Sequence, residues 1–263
     1  MVLPINSSSH LLMQIFTGRV DVYAKIVLND YLCHKALYRA ATAILKDCPP
    51  GTPWCRKEIA SLKCPPSVRL LDLGCGDASA LPALLPPPLS STITHYHGVD
   101  ASPEQLTAAR PNLQSLCQPT TTIKLSEADI RAFVRTPTPH LYDTILASFV
   151  IHHLPTAAEK AALLADVRRL MAPGATLIMI DVIRRDQETR DEYVERICHA
   201  IRNDWTALSV EEREEVVDHV SSSDYPGSWA ELKDAAVHAG FKEAHMVELD
   251  VSEMFGTVVF RNV

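Results

Sequence analysis

A short apolar segment that runs directly into a glycine-rich turn constrains the fold of this chain more than any other feature. The run Val68 to Leu73 is typical of a buried parallel strand, and Gly74-Cys75-Gly76 follows it at once. Two glycines let a ligand approach the backbone, and the helix start that follows offers free N–H groups. The segment therefore predicts a strand–turn–helix unit with a ligand at the turn, although a simple tight turn would have the same sequence.

Similar apolar runs recur downstream, and helix signals separate several of them. The additional predicted strands are Thr94–Val99, Thr122–Leu125, Thr144–Phe149 and Ala175–Ile180. Ser102-Pro103-Glu104-Gln105 combines a capping hydroxyl with an N1 proline, and Thr156 with Glu159 forms a capping box whose helix is expected to end near Pro173-Gly174. Alternation of strands and helices predicts an α/β fold with a parallel sheet covered on both faces.

The flanking segments divide the chain into four predicted parts. Residues 10–47 have helical character within an N-terminal helical cap that spans residues 1–67, and the α/β core is assigned to residues 68–183. A charged helical insertion follows at 184–228, with helices expected from about Arg185 and from Ser209. Residues 229–263 are expected to form the last helix, closed by Gly240, and an antiparallel hairpin.

Charge and cysteine content restrict the partners. Lys and Arg total 25 against 32 Asp and Glu, a formal net charge of −7, whereas nucleic-acid binders usually carry a basic excess. No uncharged apolar run approaches the roughly 18 residues of a membrane-spanning helix, and the N-terminus lacks a basic leader. The seven cysteines form no C-x-x-C pair, so we expect neither a zinc site nor a disulfide framework, and a reduced, cytoplasmic protein. We expect no metal at His152 and His153 either, because no carboxylate cluster accompanies them, and we expect a monomer or homodimer.

Acidic residues follow three successive predicted strands. Asp72 lies near the end of the first strand, Asp100 comes directly after the second, and Asp129 follows the third. The carboxyl ends of parallel strands meet at one sheet edge, where ligands bind in such folds. A carboxylate in the position of Asp100 can accept both hydroxyls of a ribose, or it can simply flank a helix start. The G-x-G-x-x-G pattern of dinucleotide sites is incomplete, because Ser79 replaces the third glycine.

With these motifs the segment from Val68 to Asp181 resembles the class I S-adenosylmethionine-dependent methyltransferases. The matching motifs are LLDLGCGDAS, GVDAS, EADI, YDTILASFVIHHL and LMAPGA, the fourth in the form of the small-molecule branch. The resemblance implies a Rossmann-like, seven-stranded, mostly parallel sheet with a C-terminal antiparallel hairpin and a helical cap. It implies S-adenosylmethionine as cofactor and S-adenosylhomocysteine as product.

The resemblance also implies roles for individual residues. Around the methionine moiety it places Asp72, Gly74 and Gly76. Asp100, with Ala101 in the same motif, falls at the ribose. The adenine is assigned to Asp129 and Ile130, and the floor beside the sulfonium to Ser148 and Phe149.

The chemistry of methyl transfer asks little of the protein beyond positioning a donor and an acceptor. A base is needed only when the acceptor arrives protonated, and His152 and His153 are the candidates, although one such histidine commonly braces a loop. The cap is expected to supply the acceptor pocket. The candidates there are Tyr23, Tyr31, Trp205 and Tyr225, with Trp229 beside them, each of which is equally suited to ordinary packing.

Two alternatives remain open. A nicotinamide-dependent oxidoreductase is one, and Tyr31 and Lys35 have the Tyr-x-x-x-Lys spacing of short-chain dehydrogenases. This pair precedes the glycine-rich turn, whereas those enzymes carry it well after the turn. The other is a protein with the methyltransferase fold that binds the cofactor without transferring a methyl group.

Overall fold

The computed structural model describes residues 20–46, 67–138 and 140–261. The described helices are α1 (Val20–Leu28), α2 (His34–Lys46), α3 (Leu81–Leu84), α4 (Pro103–Leu116), α5 (Ile130–Arg135), α6 (Ala157–Arg169), α7 (Arg190–Asp204), α8 (Val210–Ser223) and α9 (Trp229–His238). The strands are β1 (Val68–Leu73), β2 (Ile93–Asp100), β3 (Thr122–Glu127), β4 (Tyr142–Ser148), β5 (Met171–Arg184), β6 (Gly227–Ser228), β7 (Glu243–Leu249) and β8 (Phe255–Arg261).

One sheet organises the molecule, with strand order β3-β2-β1-β4-β5-β8-β7. The strands β3, β2, β1, β4 and β5 pair in parallel, and β8 pairs antiparallel with both β5 and β7. The two-residue strand β6 pairs with the end of β5. The Rossmann-like, mostly parallel α/β sheet with a closing antiparallel hairpin, predicted from the sequence, is thus confirmed.

Each face of the sheet carries its own apolar core. On one face α1, α2, α4, α7 and α8 pack over residues such as Leu70 and Ile178. On the other face α5, α6 and α9 cover residues such as Leu71 and Ile145. Adjacent residues of a strand point to opposite faces, and a parallel strand covered on both faces therefore has a continuous apolar sequence. This arrangement explains why β1 has the sequence VRLLDL, in which Leu70 and Leu71 enter different cores.

Several predicted boundaries shift in the structure. The segment 10–47 is described only from residue 20, and a turn at residues 29–33 divides it into α1 and α2, with Asp30 and Cys33 at positive φ. Helix α6 ends at Arg169 and not near Pro173-Gly174, because β5 already starts at Met171, which pairs with Tyr142. Helix α7 starts at Arg190 because Thr189 forms its capping box with Glu192.

The four predicted parts of the chain stay predictions, and residues 1–19 and 47–66 of the N-terminal part lie outside the described residues. Helices α1 and α2 belong to that part, and α7 and α8 lie within the predicted insertion. Among the described helices, none has both the length and the apolar character needed to cross a bilayer.

Candidate cofactor and acceptor site

The glycine-rich turn lies against the end of β2. The backbone amides of Gly74 and Cys75 donate to the carbonyl of Val99 at 2.8 and 3.1 Å, and Gly74 and Gly76 have φ values of +69° and +50°. A Cβ atom on Gly74 would lie 2.7 Å from Cγ2 of Val150, whereas a Cβ on Gly76 would meet nothing within 4 Å. Packing against Val150 therefore requires a glycine at position 74, whereas Gly76 leaves open space beside the backbone.

Asp100 joins this turn to β2. Its Oδ2 accepts a hydrogen bond from the Gly76 amide at 2.9 Å, and its Oδ1 accepts one from the Ser102 amide at 2.9 Å. Burial raises the pKa of Asp100, and these backbone hydrogen bonds partly oppose the rise. A carboxylate oxygen can accept two hydrogen bonds, so Asp100 keeps the capacity to accept further bonds from a ligand.

Asp72 is buried at the carboxyl-terminal half of β1. The hydroxyl of Tyr96 donates to its Oδ2 at 2.7 Å, and burial raises the pKa of Asp72 to about 7, with a smaller contribution from the charge of Asp100. Sequence reasoning did not identify Tyr96. Its position in β2 predicts only that its side chain lies on the same face of the sheet as the residues two positions away.

A cavity of about 230 Å³ opens at the carboxyl ends of β1, β2 and β4. The order of the strands reverses between β1 and β4, and this switch point is where open α/β sheets bind ligands. The predicted site residues that line it are Asp72, Gly74, Gly76, Asp100, Ser148, Phe149, His152, His153, Tyr23 and Trp205. The glycine-rich turn, the acid of the second strand and the histidine pair therefore share one cavity.

The two residues assigned to the adenine have other contacts in this structure. Asp129 caps α5, accepting hydrogen bonds from the amides of Arg131 and Ala132, and it forms a 3.0 Å ion pair with the Arg131 side chain. Ile130 is the first residue of α5, and its side chain is buried in the apolar core on that face of the sheet. Neither residue lines the cavity, nor does Ala101. Their contact with a cofactor stays a prediction.

The floor of the cavity is held by residues of α2. The hydroxyl groups of Tyr38 and Ser148 share a hydrogen bond of 2.6 Å. Phe149 has a φ of +52°, its amide donates to the carbonyl of Ile180 at 2.7 Å, and its ring packs against those of His34 and Phe255. The sequence did not indicate Tyr38, because its position on α2 is that of an ordinary core residue.

The far end of the cavity contains a histidine bound tightly to β5. The Nδ1 atom of His152 is hydrogen-bonded to Oδ1 of Asp181, and Oδ2 of Asp181 accepts the amides of Ile151 and His152 at 2.9 and 3.1 Å. The Nε2 atom of His152 lies 3.5 Å from Oδ1 of Asp224. Burial lowers the pKa of His152, but Asp181 and Asp224 outweigh it and leave the pKa raised.

Two further imidazoles surround Asp224. Nδ1 of His153 and Nε2 of His219 each lie 3.8 Å from its Oδ1 atom. Burial, reinforced by neighbouring imidazoles, holds the pKa of His153 well below its usual range and lowers that of His219 to about 4. His219 and Asp224 also line the cavity, and no sequence pattern indicated either residue, because they come from α8 and the residue after it.

The predicted aromatic residues of the acceptor pocket have different surroundings. Tyr23 and Trp205 line the cavity. Tyr31 lies behind Trp205, with the rings stacked at a centroid distance of 5.0 Å, and its hydroxyl accepts the amide of Ala207. Tyr225 is outside the cavity lining, beneath the guanidinium of Arg190, and Trp229 packs on the opposite core. Contacts of these side chains with an acceptor stay predictions.

The central part of the chain matches a known protein family. Residues 71–177 match the family described as a methyltransferase domain. An uncharacterized methyltransferase of Bacillus mycoides (strain KBAB4) is 30% identical over 112 residues, which are 41% of this chain and 48% of that protein. The chain thus spans about half the length of the curated relatives it matches.

Solved structures show the same fold at low sequence identity. Magnesium protoporphyrin IX methyltransferase from Synechocystis PCC 6803 with bound SAM has a TM-score of 0.60 and 14% identity, with 100% of both chains covered. A Haloferax volcanii protein solved in complex with the Trm112 methyltransferase activator has a TM-score of 0.54 and 16% identity, covering 93% of this chain and 95% of that one.

The strand order and the cavity at the switch point define a Rossmann-like α/β domain with a ligand site at its carboxyl edge. Residues 71–177 of this domain match a methyltransferase-domain family, and its fold is shared with a methyltransferase solved with bound SAM.

Proposed function

We propose that this chain transfers the methyl group of S-adenosylmethionine to a small-molecule acceptor. The observation that carries the proposal is the single cavity that joins the Gly76–Asp100 contact to the His152–Asp224 cluster. One end has the backbone and carboxylate groups that suit a nucleoside. The other end combines polar and aromatic side chains that suit an acceptor.

At the cofactor end, the proposed roles follow the contacts. Asp100 accepts the ribose hydroxyls while the Gly76 amide holds its carboxylate in place. The methionine moiety lies between Gly76 and Asp72, whose buried carboxyl group faces the same cavity. Ser148, held by Tyr38, and Phe149 form the floor under the sulfonium. Asp129 and Ile130 are kept as the proposed adenine contacts, to be tested separately.

Two helices cover the cavity: α8 lies at the acceptor end, and α1 extends toward the cofactor end, where burial and the charges of Asp77 and Asp100 raise the pKa of Tyr23. Tyr23 and Ile26 of α1 and Val216 and Val220 of α8 line it, and an ion pair of 2.6 Å between Lys25 and Glu212 joins the helices. Apolar and aromatic walls exclude water and orient a small acceptor beside the methyl group. The size of the cavity and the net charge of −7 favour such an acceptor over a nucleic acid.

The proposed reaction is an in-line displacement. A nucleophilic atom of the acceptor forms a bond to the methyl carbon as the carbon–sulfur bond breaks, and S-adenosylhomocysteine leaves with the electron pair. The carbon is already activated by the positive sulfur, so the protein accelerates the reaction mainly by holding donor and acceptor in line.

The test is turnover of S-adenosylmethionine carrying a radiolabelled methyl group, with panels of hydroxyl, amine, thiol and carboxylic acid acceptors. We expect labelled product and S-adenosylhomocysteine with at least one panel, and a loss of both in Asp100→Ala at a subsaturating cofactor concentration. If the protein binds S-adenosylhomocysteine but gives no labelled product with any panel, it is a cofactor-binding protein without transfer activity. Reduction or oxidation of a nicotinamide instead would support the oxidoreductase alternative.

A further inference from the structure

We propose that His152, His153 and Asp224 bind a divalent first-row transition-metal ion at the acceptor end of the cavity. Each of the three side chains offers one ligand atom, and these atoms all lie within 4.8 Å of one another. The sequence predicted no metal, because it showed no carboxylate beside the histidine pair. The fold brings Asp224 to that pair from the end of α8, about seventy positions along the chain.

The distances between the donors fit a common ion. Ligand atoms at about 2.0–2.2 Å from a tetrahedral metal lie about 3.3–3.6 Å from each other. Oδ1 of Asp224 is 3.5 Å from Nε2 of His152 and 3.8 Å from Nδ1 of His153. The ligand atoms of the two histidines lie within 4.8 Å of each other, so the set is completed when both rings turn toward the carboxylate. Binding through Nδ1 of His153 also releases its 3.3 Å contact with the carbonyl of Ser223.

Oδ1 of Asp224 is the atom at the centre of the cluster, and its surroundings within the described part of the chain favour a bound cation. Oδ1 of Asp224 is buried, and among the described residues no donor forms a hydrogen bond to it. A buried carboxylate oxygen without a partner is costly, and groups of this kind call for a bound ion or water as explanation. Three imidazole nitrogens lie within 3.8 Å of this atom, which is the composition of a cation site.

His152 is oriented as a metal-ligating histidine usually is. Its Nδ1 is hydrogen-bonded to Asp181, a fully buried carboxylate near the C-terminal end of β5, so that Nε2 points toward Asp224. A carboxylate behind the histidine fixes the ring and increases the basicity of the opposite nitrogen. Asp181 is itself held by the amides of Ile151 and His152, which gives the ligand a rigid support.

The donor set selects the kind of metal. Two imidazoles and one carboxylate bind Zn²⁺ or Fe²⁺, whereas Mg²⁺ and Ca²⁺ prefer sites made of oxygen atoms. Three protein ligands leave a further coordination position, and the three residues line the same cavity as Ser148. The role of the metal in catalysis rests on the proposed function. At the open coordination position the metal binds a hydroxyl oxygen of the methyl acceptor and lowers the pKa of that hydroxyl group.

The experiment titrates the chelator-treated full chain with Co²⁺ and with Zn²⁺, and measures S-adenosylhomocysteine binding in the same preparation. We expect one equivalent of Co²⁺ with a visible d–d absorption, displaced by Zn²⁺. Asp224→Asn and, separately, the partly exposed His153→Gln should each weaken metal affinity at least tenfold. The matched control is Asp234→Asn, which alters an exposed carboxylate 3.4 Å from His238 and should leave metal affinity unchanged.

Two results would overturn the metal site. One is the absence of stoichiometric Co²⁺ and Zn²⁺ binding in the wild-type chain. The other is metal binding that neither Asp224→Asn nor His153→Gln weakens, as expected for adventitious binding at the free cysteines. Binding of S-adenosylhomocysteine in the same sample separates this failure from failure of the proposed function, since the cofactor end contains none of the metal ligands.

Discussion

The carboxylate of Asp100 accepts a hydrogen bond from the backbone amide of Gly76 at 2.9 Å. This contact joins the end of β2 to the turn that follows β1, across 24 positions of the chain. It fixes the carboxylate and the turn relative to each other before any ligand arrives. Pre-organisation of this kind reduces the ordering cost that binding must overcome.

Replacing Asp100 is expected to weaken cofactor binding. A charge-assisted contact to two ribose hydroxyls contributes about 1.5–3 kcal/mol, so Asp100→Ala should reduce the affinity for S-adenosylhomocysteine about tenfold to a hundredfold. Calorimetry with the folded variant measures this loss. Asp191→Ala, at a side chain that is 95% exposed, is the control. Unchanged affinity in Asp100→Ala would remove the ribose role.

Gly76 provides the sharper test of where the cofactor lies. A Cβ at this position meets no protein atom within 4 Å, so the methyl group of Gly76→Ala enters the cavity. We expect a loss of cofactor affinity of at least tenfold, while the positive φ of +50° costs about 1 kcal/mol of stability.

Gly174→Ala is the matched control for this substitution. Gly174 has a φ of +74° and equally open surroundings, but it does not line the cavity. It should therefore lose similar stability and keep full affinity. If Gly76→Ala binds the cofactor as tightly as Gly174→Ala does, the cofactor lies elsewhere. Gly74→Val is a poorer probe, because its side chain would strike Val150 before any ligand.

Asp72 is expected to make stability depend on pH. Its folded-state pKa is raised from 3.8 to about 7, so the native state holds a proton that the unfolded state loses. The free energy of unfolding therefore falls as pH rises from about 4 to 7, by up to about 1.4 kcal/mol per pH unit from this group. Asp72→Asn should make that slope shallower in urea unfolding of the cofactor-free protein, whereas Asp191→Asn should not. An identical slope in Asp72→Asn and wild type would contradict the assignment.

The ion pair between Lys25 and Glu212 is expected to hold the two helices over the acceptor. Lys25→Met should lower the free energy of unfolding by less than about 1 kcal/mol, since the lysine is 43% exposed. It should raise the KM for the acceptor more than it weakens cofactor binding, and speed hydrogen exchange in α1. Arg202→Met, which breaks the exposed pair with Glu214, is the control. Equal effects of Lys25→Met on acceptor and cofactor would assign α1 to the cofactor site.

Local sequence signals predicted the parts of the fold that local physics determines. The apolar runs located the parallel strands, and Ser102, Thr156 and Ser209 all cap helices as expected. The predicted start of β5 at Ala175 was wrong, because the strand already begins at Met171. Met171 pairs with Tyr142, and this contact depends on a distant strand. Residue patterns within one segment do not contain such long-range pairing.

The site shows the same division between local and distant information. Asp72, Gly76 and Asp100 follow strands that share a sheet edge, so their convergence was predictable. Tyr38, His219 and Asp224 reach the cavity from α2, from α8 and from the residue after α8, and nothing in their own segments marks them. Tyr96 acts from the neighbouring strand β2 by donating a hydrogen bond to Asp72, and its segment does not mark it either. Asp129 has a sequence position that suits a helix cap as well as a ligand contact, and the structure shows the cap.

Calorimetric titration of the wild-type chain with S-adenosylhomocysteine, and in parallel with NADH, tests the central claim most directly. The account predicts one binding site for S-adenosylhomocysteine, an affinity that falls at least tenfold in Gly76→Ala and stays unchanged in Gly174→Ala, and no NADH binding. Binding of NADH without S-adenosylhomocysteine, or an affinity for S-adenosylhomocysteine that Gly76→Ala leaves intact, would contradict it.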